Sequence, residues 1–294
     1  MTDVLQHLID AISLGSLYAL VSLSVAVIFG VARIINFANA EMITVAGYVM
    51  IATVGLPWPI VVLSAVGASV VVAVLMNSLV FRWVRDAPPT SLLIVSFGVS
   101  YFLQNALLMA EGSRAKTLDF GSSLIDTVDI GGVRVSILSL VSAGATLVLV
   151  LALTWLLRAT APGRQIRAAS EDFVMARLLG VRSNRVIALT FVISGALAGI
   201  AGVLLTINTA TVTPSFGVAP LIVAFVAVVV GGVGSLSGAA VGGLLFGVLT
   251  VGLQVALPDQ LKPYRDAFVF AVVITVLLVR PQGLMPPLYA KERV

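Results

Sequence analysis

Between Arg185 and Asp259 the chain runs for 73 residues, positions 186–258, without one formal charge. A membrane-crossing helix needs roughly 20 mostly apolar residues, so this interval has room for about three of them. Breakers divide it: the stretch 208–216 with Pro214, and GGVGSLSG at 231–238. Spans are expected at about 186–207, 217–230 and 239–257, the middle one short. The rest of the chain has the same character. Hydrophobic residues make up 60% of its 294 residues and charged residues 10%, which leaves far too little polar surface for a soluble fold of that length. The expected class is all-α: one polytopic membrane helix bundle over residues 1–294.

Further mostly apolar runs at 11–32, 34–54, 60–81, 90–110 and 135–157, with a last one at 261–279, bring the expectation to eight or nine crossings. The first apolar stretch follows Asp3 and Asp10 with no basic region before it, so it reads as a retained span. GLPWP at 55–59 separates the second run from the third, because two prolines and a glycine cannot continue a helix. The last span needs Arg265 and Asp266 to snorkel at its mouth. With the N-terminus outside, Arg33, Arg82, Arg85, the six arginines of 158–185, Arg280, Lys291 and Arg293 fall inside. Only Arg114, Lys116, Arg134, Lys262 and Arg265 fall outside, together with the acids Asp119, Asp126 and Asp129. The positive-inside rule therefore puts the N-terminus out, the C-terminus in and the loop 158–185 in the cytoplasm. The second segment of each half is interrupted, one by Asn36, Asn39 and Glu41 and the other by glycines. That is compatible with an inverted repeat built on discontinuous helices, although breakers also simply end helices.

Polar residues inside apolar runs are the candidate functional positions. Glu41 is the one acid deep in such a run, where an unpaired charge costs a few kcal/mol or more. With Asn36 and Asn39 it reads either as a pathway or gate element, or as a cap near the cytoplasmic face. Gln104 and Asn105 read as interhelical hydrogen bonds or as pathway ligands. Gly195, Gly199 and Gly202, and later Gly238 and Gly242, have the small-residue spacing that lets helices approach closely.

Catalytic chemistry has no foothold. There is no cysteine, the one histidine is His7, and no G-x-x-x-x-G-K-[ST] phosphate loop, HExxH or paired-carboxylate motif occurs. The chain carries neither a metal site nor a cofactor motif of its own, and no pattern for nucleic acid.

The loop 158–185 holds six of the 17 basic residues. Within it Pro162 and Gly163 break the preceding span. Residues 165–179 then read as one short amphipathic helix, with Ile166, Ala169, Phe173, Ala176 and Leu178 or Leu179 on one face and Gly180 as its cap. Such a helix needs either a partner's groove or the lipid surface.

RAASEDFVMARLLGV at 167–181 resembles the cytoplasmic coupling segment, the EAA-type loop, of importer permeases of the ATP-binding cassette superfamily. SLGSLYAL at 13–20, IFGVARIINFANAEM at 28–42, VIALTFVISGALAGIAGVLL at 186–205, VVVGGVGSLSGAAVGGLLFG at 228–247 and VRPQGLM at 279–285 resemble, in order, blocks of the LivH-like branched-chain amino acid permeases. The resemblance covers essentially the whole chain. It implies a pore-forming subunit of a bacterial inner-membrane importer, paired with a second, similar permease. Two cytoplasmic ATPases would bind ATP and Mg, and an extracytoplasmic binding protein would deliver substrate near 208–216 and 55–59. Coupling would fall to Arg167, Ser170, Glu171, Asp172, Ala176, Leu179 and Gly180. One departure is INFANA, where the family's usual INFAHG has His and Gly in place of Asn39 and Ala40. Urea or short amides remain as alternative substrates, and on the residues alone an ion-coupled secondary transporter is a second reading.

Overall fold

The computed structural model describes residues 2–85, 87–118, 127–130 and 133–285; Asp119, Asp126, Lys291 and Arg293 of the charge count lie outside the described residues. Helix α1 covers Thr2–Ala32 and α2 covers Asn39–Ala52. Helix α3, Trp58–Met76, passes through a π turn at Asn77–Phe81 and finishes at Arg82–Val84. Then come α4 (Pro89–Glu111), α5 (Ile137–Ala159), α6 (Ala161–Glu171) and α7 (Phe173–Leu178). The second half holds α8 (Ser183–Thr209), α9 (Val218–Gly231), α10 (Leu236–Ala256) and α11 (Arg265–Val279).

Among the described residues six helices, α1, α3 with its extension, α4, α5, α8 and α10, are long and apolar enough to cross a bilayer. The protein is a multi-pass membrane protein. Helices α2 and α9 have 14 residues each. At 1.5 Å per residue each rises about 21 Å, short of the roughly 30 Å hydrocarbon core.

Prolines open helices here rather than only ending them. Pro57 stands at the N-cap of α3 with Pro59 in its first turn, and Pro88 stands at the N-cap of α4, since the missing N–H falls among donors a helix start leaves free anyway. Ser136 and Ser235 cap α5 and α10 by accepting from the amides of Ser139 and Gly238. The first span begins earlier than hydropathy places it: α1 takes in His7 and Asp10, which border an open groove with Val251, Gln254 and Lys262. Arg265 meets Asp266 at 3.0 Å and Gln254 at 2.9 Å, at the start of α11.

The all-α expectation misses two short antiparallel pairings. Strand β1 (Lys116–Thr117) pairs with β4 (Thr211–Val212), and β2 (Thr127–Ile130) pairs with β3 (Val133–Ser136). The β1–β4 contact ties the chain just after α4 to the chain just after α8, so both helices end at the same side of the bundle.

Packing repeats itself between the halves. α1 lies along α10 and α8 along α3; α2 rests on α8 and α9 rests on α1. Glycines set these distances. A Cβ at Gly243 would lie 2.4 Å from Ala19 Cα, and one at Gly195 would lie 2.7 Å from Ala73 Cβ. The largest core cluster draws on α1, α2, α3, α8 and α9, with Leu20, Met42, Ile43, Phe81 and Phe191 fully enclosed.

Candidate functional site

The chain leaves α1 through Arg33, which adopts the left-handed φ of 53° and so ends the helix. Residues 33–38 return non-helically before α2 starts. Asn36 closes the turn: its Oδ1 accepts from the Ala38 amide at 3.1 Å, which fixes the amide orientation and leaves Nδ2 as the donor. Asn36 is 3% exposed, and Nδ2 has no partner among the described residues.

Asn39 binds the first and second halves together. Its Nδ2 donates to Ser24 Oγ at 2.8 Å, and the Ser194 hydroxyl lies 3.1 Å from its Oδ1 and 2.7 Å from the Ser24 carbonyl. A buried polar group must find such partners inside a bilayer, where no water replaces them.

Glu41 lies in the first turn of α2, where the free amides of a helix start favour a carboxylate. It is 0% exposed. Its Oε1 accepts from Ser100 Oγ at 2.9 Å and Gln104 Nε2 at 3.0 Å, while Oε2 has no partner among the described residues. Ser100 is the midpoint of the 23-residue α4. Glu41 therefore meets the middle of α4 and not the end of a neighbouring helix. Gln104 belongs to this cluster and Asn105 does not: Asn105 donates to the Tyr101 carbonyl of its own helix at 2.8 Å.

One turn away the same seam is aromatic. Phe37 stacks on Phe97 of α4 with centroids 3.9 Å apart, and Phe225 of α9 lies 5.1 Å from Phe37. Sequence reasoning missed these rings and missed Ser24, Ser100 and Ser194. A signal existed for part of it: Ser96, Ser100 and Gln104, four apart in an apolar span, form a polar stripe on one face of α4.

The five candidate packing glycines all meet other parts of this chain. Gly199 faces Ser69 and Val66, Gly202 the Ile43 carbonyl, Gly238 the Gly231 carbonyl and Gly242 the Ala227 carbonyl.

The basic loop departs from the single helix expected over 165–179. Thr160 Oγ1 accepts from the Gly163 amide at 3.1 Å and caps α6, so Pro162 and Gly163 lie in the first turn of a new helix. Asp172 then interrupts it: its Oδ1 accepts from the amides of Val174 and Met175, each at 2.9 Å, and starts α7. Gly180, at φ 87°, ends α7, with the Val181 amide donating to the Ala176 carbonyl at 3.0 Å in a Schellman closure. The break rotates the helix face. Ile166, Ala169 and Ala176 are buried against α5 and α8, while Leu178 and Leu179, one or the other of which a single helix would put on that same face, are 76% and 78% exposed beside exposed Val174 and Met175. Arg167, Glu171, Asp172 and Gly180 are exposed, and Ser170 is half-buried with its hydroxyl donating to the Arg167 carbonyl. Arg167 and Ser170 border a crevice with Gly30 and Val31 of α1 and Gly234.

The comparisons bear on the whole chain. The high-affinity branched-chain amino acid transport system permease protein BraD of Pseudomonas aeruginosa is 35% identical over 96% of this chain and 95% of its own length. LivH of Escherichia coli, described in the same words, is 35% identical with the same shares, and LivH of Salmonella typhimurium is 34% identical. The family described as branched-chain amino acid transport system / permease component matches residues 7–277, and the chain belongs to that family.

Proposed function

We propose that the chain is the transmembrane permease subunit of an ATP-binding cassette importer for branched-chain amino acids in a bacterial cytoplasmic membrane. A second, homologous permease completes the passage. Two cytoplasmic ATPases carry ATP and Mg, and an extracytoplasmic binding protein delivers the substrate. The observation that carries this reading is the apolar patch of Val174, Met175, Leu178 and Leu179, displayed on a capped six-residue helix. A helix that short is not stable alone and keeps its apolar face for a partner's groove. The names of the relatives supply the substrate class.

In this reading the bundle is an inverted repeat that crosses eight or nine times, with the N-terminus outside and the C-terminus inside. The matched packing of α1 with α10 and α8 with α3, and of the 14-residue α2 and α9, supports it. ATPase closure displaces α7, α6 passes the displacement to α1 and α5, and the halves rearrange around the interrupted helices, where Asn36, Asn39, Glu41 and Gln104 lie. Arg167, Ser170, Glu171, Asp172, Ala176, Leu179 and Gly180 form the coupling element. Asn105, outside that cluster, borders the passage only through α4.

Reconstitution tests the assignment. Vesicles holding this chain, its partner permease, both ATPases and the binding protein should accumulate L-leucine only with ATP. Uptake driven by an ion gradient through this chain alone would overturn it.

A further inference from the structure

We propose that Glu41 and Asn36 are the two poles of a subsite for a zwitterion: the Glu41 carboxylate takes the solute's ammonium group and the Asn36 amide takes its carboxylate. The proposal rests on the amino acid importer reading above and names the site at which the permease itself recognises its cargo.

The argument starts from two buried atoms of opposite kind. Glu41 Oε2 is an acceptor and Asn36 Nδ2 a donor, and neither has a partner among the described residues. Side chains this buried, at 0% and 3% exposure, are ordinarily satisfied, and inside a bilayer no water replaces a missing partner. They lie five positions apart, Asn36 in the interruption that precedes α2 and Glu41 in the first turn of α2. No lysine, arginine or histidine among the described residues forms an ion pair with Glu41, so its two neutral donors and the start of α2 are all that support it. An ammonium carries three donors and no acceptor, and a carboxylate is acceptor only. Phe37, next to Asn36 in the chain, stacks on Phe97 and lies close to Phe225, apolar surface of the kind an aliphatic side chain packs against.

The seam is also lightly packed on the α4 side. α4 packs chiefly on α2, and only Leu92, Ser96 and Ser100 of its 23 residues are buried. Two of those three are serines, so little apolar burial holds α4 in place. Drawing α4 back uncovers Glu41 without disturbing the Asn39–Ser24–Ser194 contact, which lies between α1, α2 and α8.

The test measures binding of small probes to the complete importer complex in nanodiscs, without the binding protein. The probes are L-leucine, 4-methyl-2-oxopentanoate (no ammonium) and leucinol (no carboxylate). The wild type should prefer leucine over the oxo acid by at least about tenfold, the effect of one charge-assisted hydrogen bond. Glu41→Gln should erase that preference, and Glu41→Asp should keep part of it. Asn36→Ala should narrow the preference for leucine over leucinol and leave the other ratio intact, and it decides the matter if Glu41→Gln does not assemble. Unchanged ratios in both variants, or a wild type with no preference, overturn the subsite. ATP-driven leucine uptake by the wild-type importer, scored separately with the binding protein, reports on the importer reading alone.

Discussion

Gly217 presses on Ala40: a Cβ at 217 would lie 2.0 Å from the Ala40 carbonyl oxygen, and the Gly217 amide donates to Thr44 Oγ1 at 3.0 Å. The starts of α2 and α9 thus share one contact, made of backbone that cannot turn aside. Gly217→Ala should cost about 1–3 kcal/mol or more by overpacking, read as a lower melting temperature of the purified chain in detergent. Gly252→Ala, where nothing lies within 4 Å of the added carbon, should melt at or slightly above the wild-type temperature. Equal melting of the two variants would contradict the contact.

The two asparagine-bearing sites differ in the same testable way. Asn39→Leu strips partners from the buried Ser24 and Ser194 and should cost about 1–3 kcal/mol. Asn105→Leu gives up a bond to its own helix carbonyl and should be close to silent. Thermal melts of both, side by side, check this.

Loss of grip on the ATPase should follow from polar substitution of the exposed face of α7. Leu178→Asp and Leu179→Asp are expected to weaken co-purification of the ATPase by at least about tenfold, the scale on which a buried apolar anchor contributes, with the melting temperature unchanged. Ala176→Asp, aimed at the buried face, should lower the melting temperature instead. Full ATPase recovery with both leucine variants would remove α7 from the contact.

Asp172→Ala removes a cap that serves two amides and should cost about 1 kcal/mol. Hydrogen exchange at Val174 and Met175 should then quicken by about fivefold, the rate equivalent of that energy, while Asp172→Asn retains protection. Unaltered exchange in the alanine variant would mean the cap is not what starts α7.

Orientation can be read chemically, because the chain contains no cysteine and every engineered thiol reports alone. An Arg177→Cys variant should react with a membrane-impermeant maleimide only from the cytoplasmic side, and Lys262→Cys only from outside. The reverse pattern would invert the proposed topology.

Much of the helical layout was legible because charge and hydropathy act locally. The 73 uncharged residues contain α8, α9 and α10 almost where the breakers place them, and the short length of α9 follows from the distance between Pro214 and the Gly231–Gly238 cluster. Pairings across the chain were not legible. Lys116 with Val212 joins residues from different halves, and Ser100 reaches Glu41 from 59 positions away. Nothing in either local stretch encodes those meetings. The face shown by Leu178 was misread for another reason: a helical period holds only while the helix continues, and Asp172 restarts it, so the phase counted from Ile166 no longer applies. In Asn39 a departure from the family's usual residue was visible, but its hydroxyl partners on two other helices were not.

The contact of Gly217 with Ala40 also limits how such a bundle can change shape. Main chain that already touches cannot close further, so the starts of α2 and α9 cannot draw nearer to each other, and any rearrangement of the bundle has to leave that distance as it is or widen it.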